Sequence, residues 1–355
     1  MTDSNALLAR ARALPKVLLH EHLDGGLRVA TLLELLRARG MEPPQHDVPA
    51  LAAWFDANAH AGSLGKYLEG FALTVEAMSS LPAMQRVAFE AAEDAHADGA
   101  LLAEFRIAPL LFEAHGVSGE ATVEALLAGL DRSPLPLGTG SGLIVCAMRH
   151  LPPEETVRAA RLALKYQGQG VVGFDLAGPE FGHPPAGHAA ALHLVREACL
   201  GLTLHAGEAD AAVRVLEAGR LGARRIGHGV HLVDALHDPA GADLLAEVRA
   251  LGLHLEVCPT SNVHTGAARS VASHPITALW RAGVSLSYHT DNRLMSCISL
   301  AEEAAALLAH TPLTETDLVQ MALQAAEHSF LPAPARATAA QGVQQWAHAR
   351  GLALQ

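Results

Sequence analysis

Histidine and aspartate side chains occur at four places in the sequence where they could bind a metal ion. His20 and His22 are separated by one residue, Glu21, so on a β-strand both would point to the same face. His205, His228 and Asp291 each lie at or just beyond the end of a short apolar run that could form a buried strand. Imidazole nitrogen and carboxylate oxygen suit zinc, an ion that often serves hydrolysis. The residues therefore predict a hydrolytic metal centre, provided that the fold brings them together.

A centre with two metal ions is the nearest alternative to a centre with one. Such sites commonly need a bridging carboxylate or a modified lysine after the fourth strand of the fold. The chain has only three lysines, Lys16, Lys66 and Lys165, and none lies at that place. One ion per chain is therefore preferred, although these ligand types would also suit iron or cobalt.

The elements that must position these residues are short apolar runs that alternate with helical stretches. Strand–helix alternation predicts a parallel sheet, and eight repeats predict closure into a (β/α)₈ TIM barrel, with an open doubly wound sheet as the alternative. Catalytic groups of such barrels lie at the carboxyl ends of the strands, where these candidates fall. The predicted strands are residues 17–20, 101–108, 142–148, 171–177, 202–205, 224–228, 253–258 and 284–289.

One interval is too long for a single crossover. About residues 27–99 form a helical insertion after the first strand, with two or three helices that include residues 64–78 and 83–97. An insertion at that end of a strand would cover the active face and could serve as a lid. Further helices follow residue 300, and residues 1–355 are expected to form one domain.

The composition limits the classes of partner. The chain has 37 acidic residues against 25 Lys and Arg, a formal net charge of −12. A chain this acidic is repelled by the phosphate backbone of nucleic acids. The first residues include Arg10, Arg12 and Lys16 and resemble neither a signal peptide nor a membrane span. We therefore expect a cytoplasmic protein that binds neither nucleic acid nor membranes; its oligomeric state is left open.

Longer motifs around the candidate residues resemble the adenosine deaminase family. They keep the family's order and extend over nearly the whole chain. The segments that carry the resemblance are residues 15–25, 104–109, 146–150, 175–178, 205–208, 227–229, 256–262 and 290–291. The resemblance implies zinc-dependent hydrolytic deamination of adenosine and 2′-deoxyadenosine to inosine or deoxyinosine and ammonia. The small-molecule partner would be a purine nucleoside.

The resemblance also implies roles for single residues at the reacting centre. Glu208 would donate a proton to purine N1, and His228, with Asp291, would orient the attacking water and take up its proton. His22 would border the substrate as well as bind the metal. The ligands of one zinc ion per chain would be His20, His22, His205 and Asp291.

The remaining implied roles concern recognition of the nucleoside. Gly178 would donate its backbone N–H to purine N3, and Asp24 would contact the ribose hydroxyls. Tyr67 and Phe71, four residues apart in the insertion, would wall the ribose pocket or, as the alternative, form part of a helix core. Asn292 follows the aspartate ligand where the family usually has a second acid, and an amide there would donate a hydrogen bond to N7.

Three alternatives to adenosine deamination remain open on the sequence. Asp24 is typical of nucleoside deaminases, whereas relatives that act on free adenine tend to have glutamate there. Because Asn292 replaces the acid that the family usually has there, another modified adenosine remains possible as the substrate. A barrel that binds a nucleoside or a protein without catalysis is the alternative from a different class. Loss of Glu208 or of a metal ligand would indicate such a barrel, and none is lost.

Overall fold

Eight parallel strands form the centre of the computed structural model, in the spatial order β1 to β8. The structure describes residues 3–60, 64–238 and 241–354, without the side chains of residue 3 and residues 64–69. This topology, with helices between the strands, confirms the predicted (β/α)₈ barrel. The strands are β1 Lys16–Leu18, β2 Ala100–Ile107, β3 Ser141–Met148, β4 Val171–Ala177, β5 Gly201–Ala206, β6 Arg225–His228, β7 His254–Val257 and β8 Leu286–Tyr288.

The barrel closes between its first and last strands just beyond their regular ends. The backbone N–H of Asp291 donates to the carbonyl of His20 at 3.0 Å, and the N–H of His22 donates to the carbonyl of Asp291 at 2.7 Å. The N–H of Arg106 on β2 donates to the carbonyl of Glu21 at 2.8 Å. The closure of the barrel thus fixes the backbone of three predicted metal ligands relative to one another.

Sixteen helices of the described residues surround the barrel or extend from it. Four of them, α2 to α5, lie between β1 and β2, where the sequence predicted two or three. The helices are α1 Asp3–Arg12, α2 Val29–Ala38, α3 Val48–Ala59, α4 Leu64–Met78, α5 Leu81–Ala97, α6 Gly119–Asp131, α7 Pro153–Lys165, α8 Ala189–Glu197, α9 Val213–Arg220, α10 Asp234–His237, α11 Gly241–Ala250, α12 Pro259–His264, α13 Ile276–Arg281, α14 Leu300–His310, α15 Glu315–His328 and α16 Ala333–His348.

Apolar side chains fill the layer between strands and helices, as the alternation predicts. The interior of the barrel is different, because it holds a network of buried charges. Arg106 bridges Asp175 and Glu256 at 2.8 and 2.6 Å, and Arg225 bridges Glu256 and Glu104 at 2.6 and 2.7 Å. These side chains lie directly beneath the predicted metal ligands.

The last three helices, α14 to α16, follow residue 300. Helix α15 packs against β1 and β8, and α16 packs against α15 and β2. Among the described residues, no helix combines the length and apolar character that crossing a membrane requires.

Candidate active site

A cavity of about 800 Å³ opens at the carboxyl ends of the strands. Helix α4 of the insertion borders it through Phe71, Ala72, Val75 and Glu76. Tyr67 lies on the same helix, but its side chain is outside the described part of the structure, so its role stays a prediction. The predicted site residues that line the cavity are His22, Asp24, Phe71, Gly178, His205, Glu208, His228, Asp291 and Asn292.

The candidate metal ligands converge at the bottom of this cavity. The Nε2 atom of His20 is 3.3 Å from Asp291 Oδ1, and the Nε2 atom of His22 is 3.6 Å from the same oxygen. The Nε2 atoms of His22 and His205 are 3.4 Å apart. Ligands at about 2.0–2.2 Å from a four-coordinate zinc ion are separated by roughly 3.3–3.6 Å. The spacing of these donor atoms therefore fits the ion.

His228 belongs to the same cluster. Its ligand atom and those of His20, His205 and Asp291 all lie within 4.8 Å of one another. The geometry thus offers either His22 or His228 as the third imidazole, and the predicted choice of His22 stays a prediction. His20 Nε2 is buried and makes no aligned hydrogen bond among the described residues, as expected for an atom that faces a cation.

Carboxylates behind the imidazoles set their orientation. Glu256 binds His20 Nδ1 at 3.0 Å, and Asp175 binds His205 Nδ1 at 3.0 Å, so both rings turn Nε2 towards the cavity. Arg106 pairs with both carboxylates. Such partners fix the tautomer of a ligating histidine and strengthen its basicity.

The ionisation states mostly suit a divalent cation. Burial lowers the pKa of His22 well below its ordinary value and also lowers the pKa of His228, which keeps both rings neutral. Burial alone would raise the pKa of Asp291, but its close contact with His20 and the proximity of His228 hold that pKa well below its usual range. The pKa of His20 is raised, because Asp291 and Glu256 outweigh burial and Arg106. A cation at this site would act in the opposite direction and favour the neutral ring.

Two residues of the site other than glycine have left-handed backbone conformations. His228 has φ +64° and Asp291 has φ +62°, a region that costs a residue other than glycine on the order of 1–3 kcal/mol. Each residue comes where a strand ends, and the turn aims its side chain into the cluster. Strain of this kind is concentrated where function requires it.

The carboxyl group of Glu208 is held beside the cluster. Its Oε1 accepts a hydrogen bond from Thr265 Oγ1 at 3.0 Å, and its Oε2 is 3.5 Å from His228 Nε2. Asn262 Nδ2 lies 3.0 Å from His228 Nδ1, so it can donate to that nitrogen and leave the proton of a neutral ring on Nε2. The arrangement places an acid and an orienting imidazole on one side of the cavity.

The predicted substrate contacts line the same cavity. Burial raises the pKa of Asp24 to about 7, and hydrogen bonds from backbone N–H groups offset this only in part. Gly178 has φ +93°, and a Cβ there would lie 3.1 Å from His150 Nδ1. Asn292 is buried beside Gly25, whose lack of a side chain leaves room for the Asn292 amide.

Several residues of the site were not predicted from the sequence. Thr265 and Asn262 hold Glu208 and His228, and Asp175 and Glu256 hold the metal-facing histidines. Glu104 and Arg106 lie two apart in one strand, and paired charges inside an apolar strand are a signal that could have found Arg106. Asn262 ends the segment 256–262 that carries the family resemblance but was given no role of its own, and no local signal marks Thr265.

A family model and curated relatives point to the same family. The family model described as adenosine deaminase matches residues 15–346. The adenosine deaminase of Mycobacterium bovis (strain BCG / Pasteur 1173P2) is 40% identical over 341 residues, covering 92% of each chain. The adenosine deaminase of Mycolicibacterium gilvum (strain PYR-GCK) is 41% identical over 341 residues, covering 93% of this chain and 94% of the relative.

Solved structures share the fold at lower identity. The adenine deaminase of Arthrobacter aurescens superposes with a TM-score of 0.84 at 22% identity, covering 95% of this chain and all (100%) of that one. An Arabidopsis N6-mAMP deaminase superposes with a TM-score of 0.81 at 23% identity, covering 95% and 99%. At these identities the likeness concerns the barrel and leaves the substrate open.

Proposed function

The chain belongs to the adenosine deaminase family, and we propose that it hydrolyses adenosine and 2′-deoxyadenosine to inosine or deoxyinosine and ammonia with one zinc ion per chain. It is a hydrolytic deaminase by family. The proposal concerns its substrate, its ion and the residues that act.

One observation carries the proposal: a cluster of potential metal ligands and a separate carboxyl group face the same cavity. The ligand atoms of the cluster lie within 4.8 Å of one another, and Glu208 Oε2 is 3.5 Å from His228 of that cluster. Deamination at purine C6 needs a nucleophile at C6 and a proton at the adjacent N1. The cavity supplies groups for both tasks side by side.

The chemistry follows from the weakness of C6 as an electrophile. Protonation of N1 by Glu208 allows the ring to accept the electron pair of the attacking water. A zinc ion held by His20, His205, Asp291 and a third imidazole would lower the pKa of that water to about 7. His228 and Asp291 orient the water, and Asp291 accepts its proton. The bond from C6 to oxygen forms, and the proton taken from the water passes to the amino nitrogen as its bond to C6 breaks, so that ammonia leaves. The proton that remains on the new C6 oxygen returns to Glu208.

The lining favours an uncharged nucleoside over a nucleotide. None of the described lining residues is lysine or arginine, and Asp24 and Glu76 contribute carboxyl groups. A phosphate group would meet no paired cation there. Asp24 is deeply placed, where ribose hydroxyls could bind it, which supports adenosine over free adenine.

The test is an absorbance assay with purified protein on adenosine, 2′-deoxyadenosine, adenine and AMP. We expect turnover of both nucleosides and little of adenine or AMP, with the activity lost after chelation and restored by zinc. Preferential turnover of adenine or AMP would reassign the substrate, and full activity of metal-free protein would contradict the zinc proposal.

A further inference from the structure

Glu180 lies in the loop after β4, and its carboxylate is inserted into the neighbouring loop after β5. The residue is only 5% exposed. Its Oε1 accepts a hydrogen bond from the N–H of Gly207 at 2.6 Å. Its Oε2 accepts from the N–H groups of Glu208, Ala209 and Asp210 at 3.0, 2.8 and 3.2 Å. Four consecutive amides thus converge on one carboxylate.

This arrangement is a backbone nest occupied by a side chain of the same protein. Successive N–H groups that point inwards make a concave anion site, and hydrogen bonds to a charged acceptor are stronger than those between neutral groups. The backbone must turn sharply to form it. Gly207 has φ +68°, and a Cβ there would lie 2.8 Å from Val215 Cγ2. The loop therefore depends on Gly207 for its turn and on Glu180 for its hydrogen bonds.

The loop that Glu180 holds carries Glu208. The side chain of Glu208 is fixed by Thr265, but its backbone is fixed by Glu180. Glu180 also follows Gly178 by two residues, so one short segment connects the proposed N3 donor to the nest. The distance between the groups that face N3 and N1 of one purine ring therefore depends on this contact.

We propose that Glu180 is a positioning residue for Glu208. It holds the loop after β5 in the position from which the carboxyl group of Glu208 reaches purine N1. This inference rests on the proposed deamination. Glu180 borders the cavity, but both its carboxylate oxygens accept from the amides of residues 207–210, so its effect would pass through that backbone. A shift of the proton donor by about 1 Å can cost on the order of 10²-fold in rate.

The first test compares Glu180→Gln with a matched control. The amide of glutamine has one acceptor oxygen, so in either orientation its NH₂ group faces at least one backbone N–H of the nest. We expect kcat for adenosine to fall about ten- to hundredfold, with a smaller change in KM and an unchanged zinc content. The control is Glu90→Gln, which neutralises a buried glutamate of α5 that binds Thr31 and Arg86 instead. It should leave kcat near the wild-type value.

The second test asks whether Glu180 acts through Glu208. In a Glu208→Gln background, Glu180→Gln should lower kcat by less than about threefold, because the positioned proton donor is already absent. If the two losses multiply, Glu180 does not act through Glu208 and the proposal is wrong.

The third test does not depend on activity. Hydrogen exchange of the amides of residues 207–210 should be at least about tenfold faster in Glu180→Gln, while exchange within β5 stays unchanged. If Glu180→Gln does not fold, Glu180→Asp, which keeps the charge on a shorter side chain, should give the same local increase. Unchanged exchange in the folded variant would overturn the proposal. If wild-type protein does not deaminate adenosine but the exchange result holds, the proposed function fails while the contact between the loops stands.

Discussion

Glu208 is supported on both oxygens, which is the placement expected of a group that must deliver a proton in one direction. Glu208→Gln keeps the shape but cannot transfer a proton. We expect kcat for adenosine to fall by about 10²- to 10⁴-fold, the usual contribution of general acid catalysis, with zinc content unchanged. Steady-state kinetics and metal analysis of the same preparation would check this. A near-normal kcat would assign the proton to another group.

His20 is the most enclosed member of the metal cluster, with no exposed side-chain surface. His20→Ala removes a ligand that Glu256 orients, so zinc should fall from about one per chain to near zero, and activity should fall with it. His115→Ala is the matched control, because His115 borders the cavity at an exposed position outside the cluster. Zinc retained in full by His20→Ala would exclude this cluster as the site.

Asn292 differs from the acid that the family usually has at this position. Purine N7 only accepts hydrogen bonds, and an asparagine amide donates while staying neutral at every working pH. Wild-type protein should discriminate against 7-deazaadenosine, which lacks the N7 acceptor. Asn292→Ala should be much less active than wild type on adenosine. On 7-deazaadenosine its activity should be little lower than that of wild type. Penalties that simply multiply would show that Asn292 and N7 are not partners.

The sequence predicts residues whose chemistry is visible in their type and spacing. His20, His22, His205, Glu208 and Asp291 belong to this group, and the fold brings all of them to one cavity or its floor. Residues that act by holding others were not predicted. From sequence alone, a glutamate in a loop, such as Glu180, is expected to be exposed to solvent. Only the fold shows that the neighbouring loop packs against it.

At the scale of elements, apolar runs predicted all eight strands to within a few residues. The last strand is shorter than predicted, Leu286–Tyr288 against residues 284–289, because an apolar run extends beyond the ladder that pairs it. In the insertion, Val29–Ala38 and Val48–Ala59 were not predicted, since the glycine and prolines of residues 40–44 interrupt the helical pattern between them. Periodicity cannot show where such a break ends one helix and another begins.

The start of helix α14 is fixed by the side chains of its first residues. Ser299 Oγ accepts from Glu302 N at 3.3 Å, and Glu302 Oε2 accepts from Ser299 N at 2.8 Å, which forms a capping box. Ser299→Ala should lower the free energy of unfolding by about 1 kcal/mol, measured by urea unfolding of zinc-loaded protein. Ser299→Thr should retain most of the stability. No loss in Ser299→Ala would mean that α14 is held by packing alone.

At the scale of the whole molecule, buried charges connect the base of the barrel to the metal cluster. Glu104, Arg225, Glu256, Arg106 and Asp175 alternate in sign through the interior. Buried ion pairs contribute little net stability, because desolvation offsets their attraction, and removing one partner is costly. Their benefit here is orientation, since Glu256 at the middle of this row of charges holds His20 and Asp175 at its end holds His205. A barrel of aliphatic side chains would be as stable but would leave those rings free to turn.

A further buried acid, Glu303, lies outside this row of paired charges. Glu303 on α14 is fully buried, and its Oε1 accepts from Thr260 N at 3.2 Å. Its Oε2 has no hydrogen-bond partner among the described residues. Burial raises the pKa of Glu303 to about 8, against 4.5 as its ordinary value, and the bonds from Thr260 offset this only in part.

The position of Glu303 makes the stability of the whole fold depend on pH. Because its pKa is raised in the folded state, its contribution is fully present below about pH 4.5 and is lost as the pH rises through about 8. Glu303→Gln removes the titration. The free energy of unfolding of the variant, relative to that of wild type, should therefore rise by a few kcal/mol between pH 5 and pH 9, at about 1.4 kcal/mol per pKa unit. Urea unfolding of both proteins at pH 5, 7 and 9 measures the difference, with Glu327→Gln at an exposed position of α15 as the control for loss of one acid. A difference between Glu303→Gln and wild type that stays constant across this range would show that Glu303 is already ionised in the folded protein.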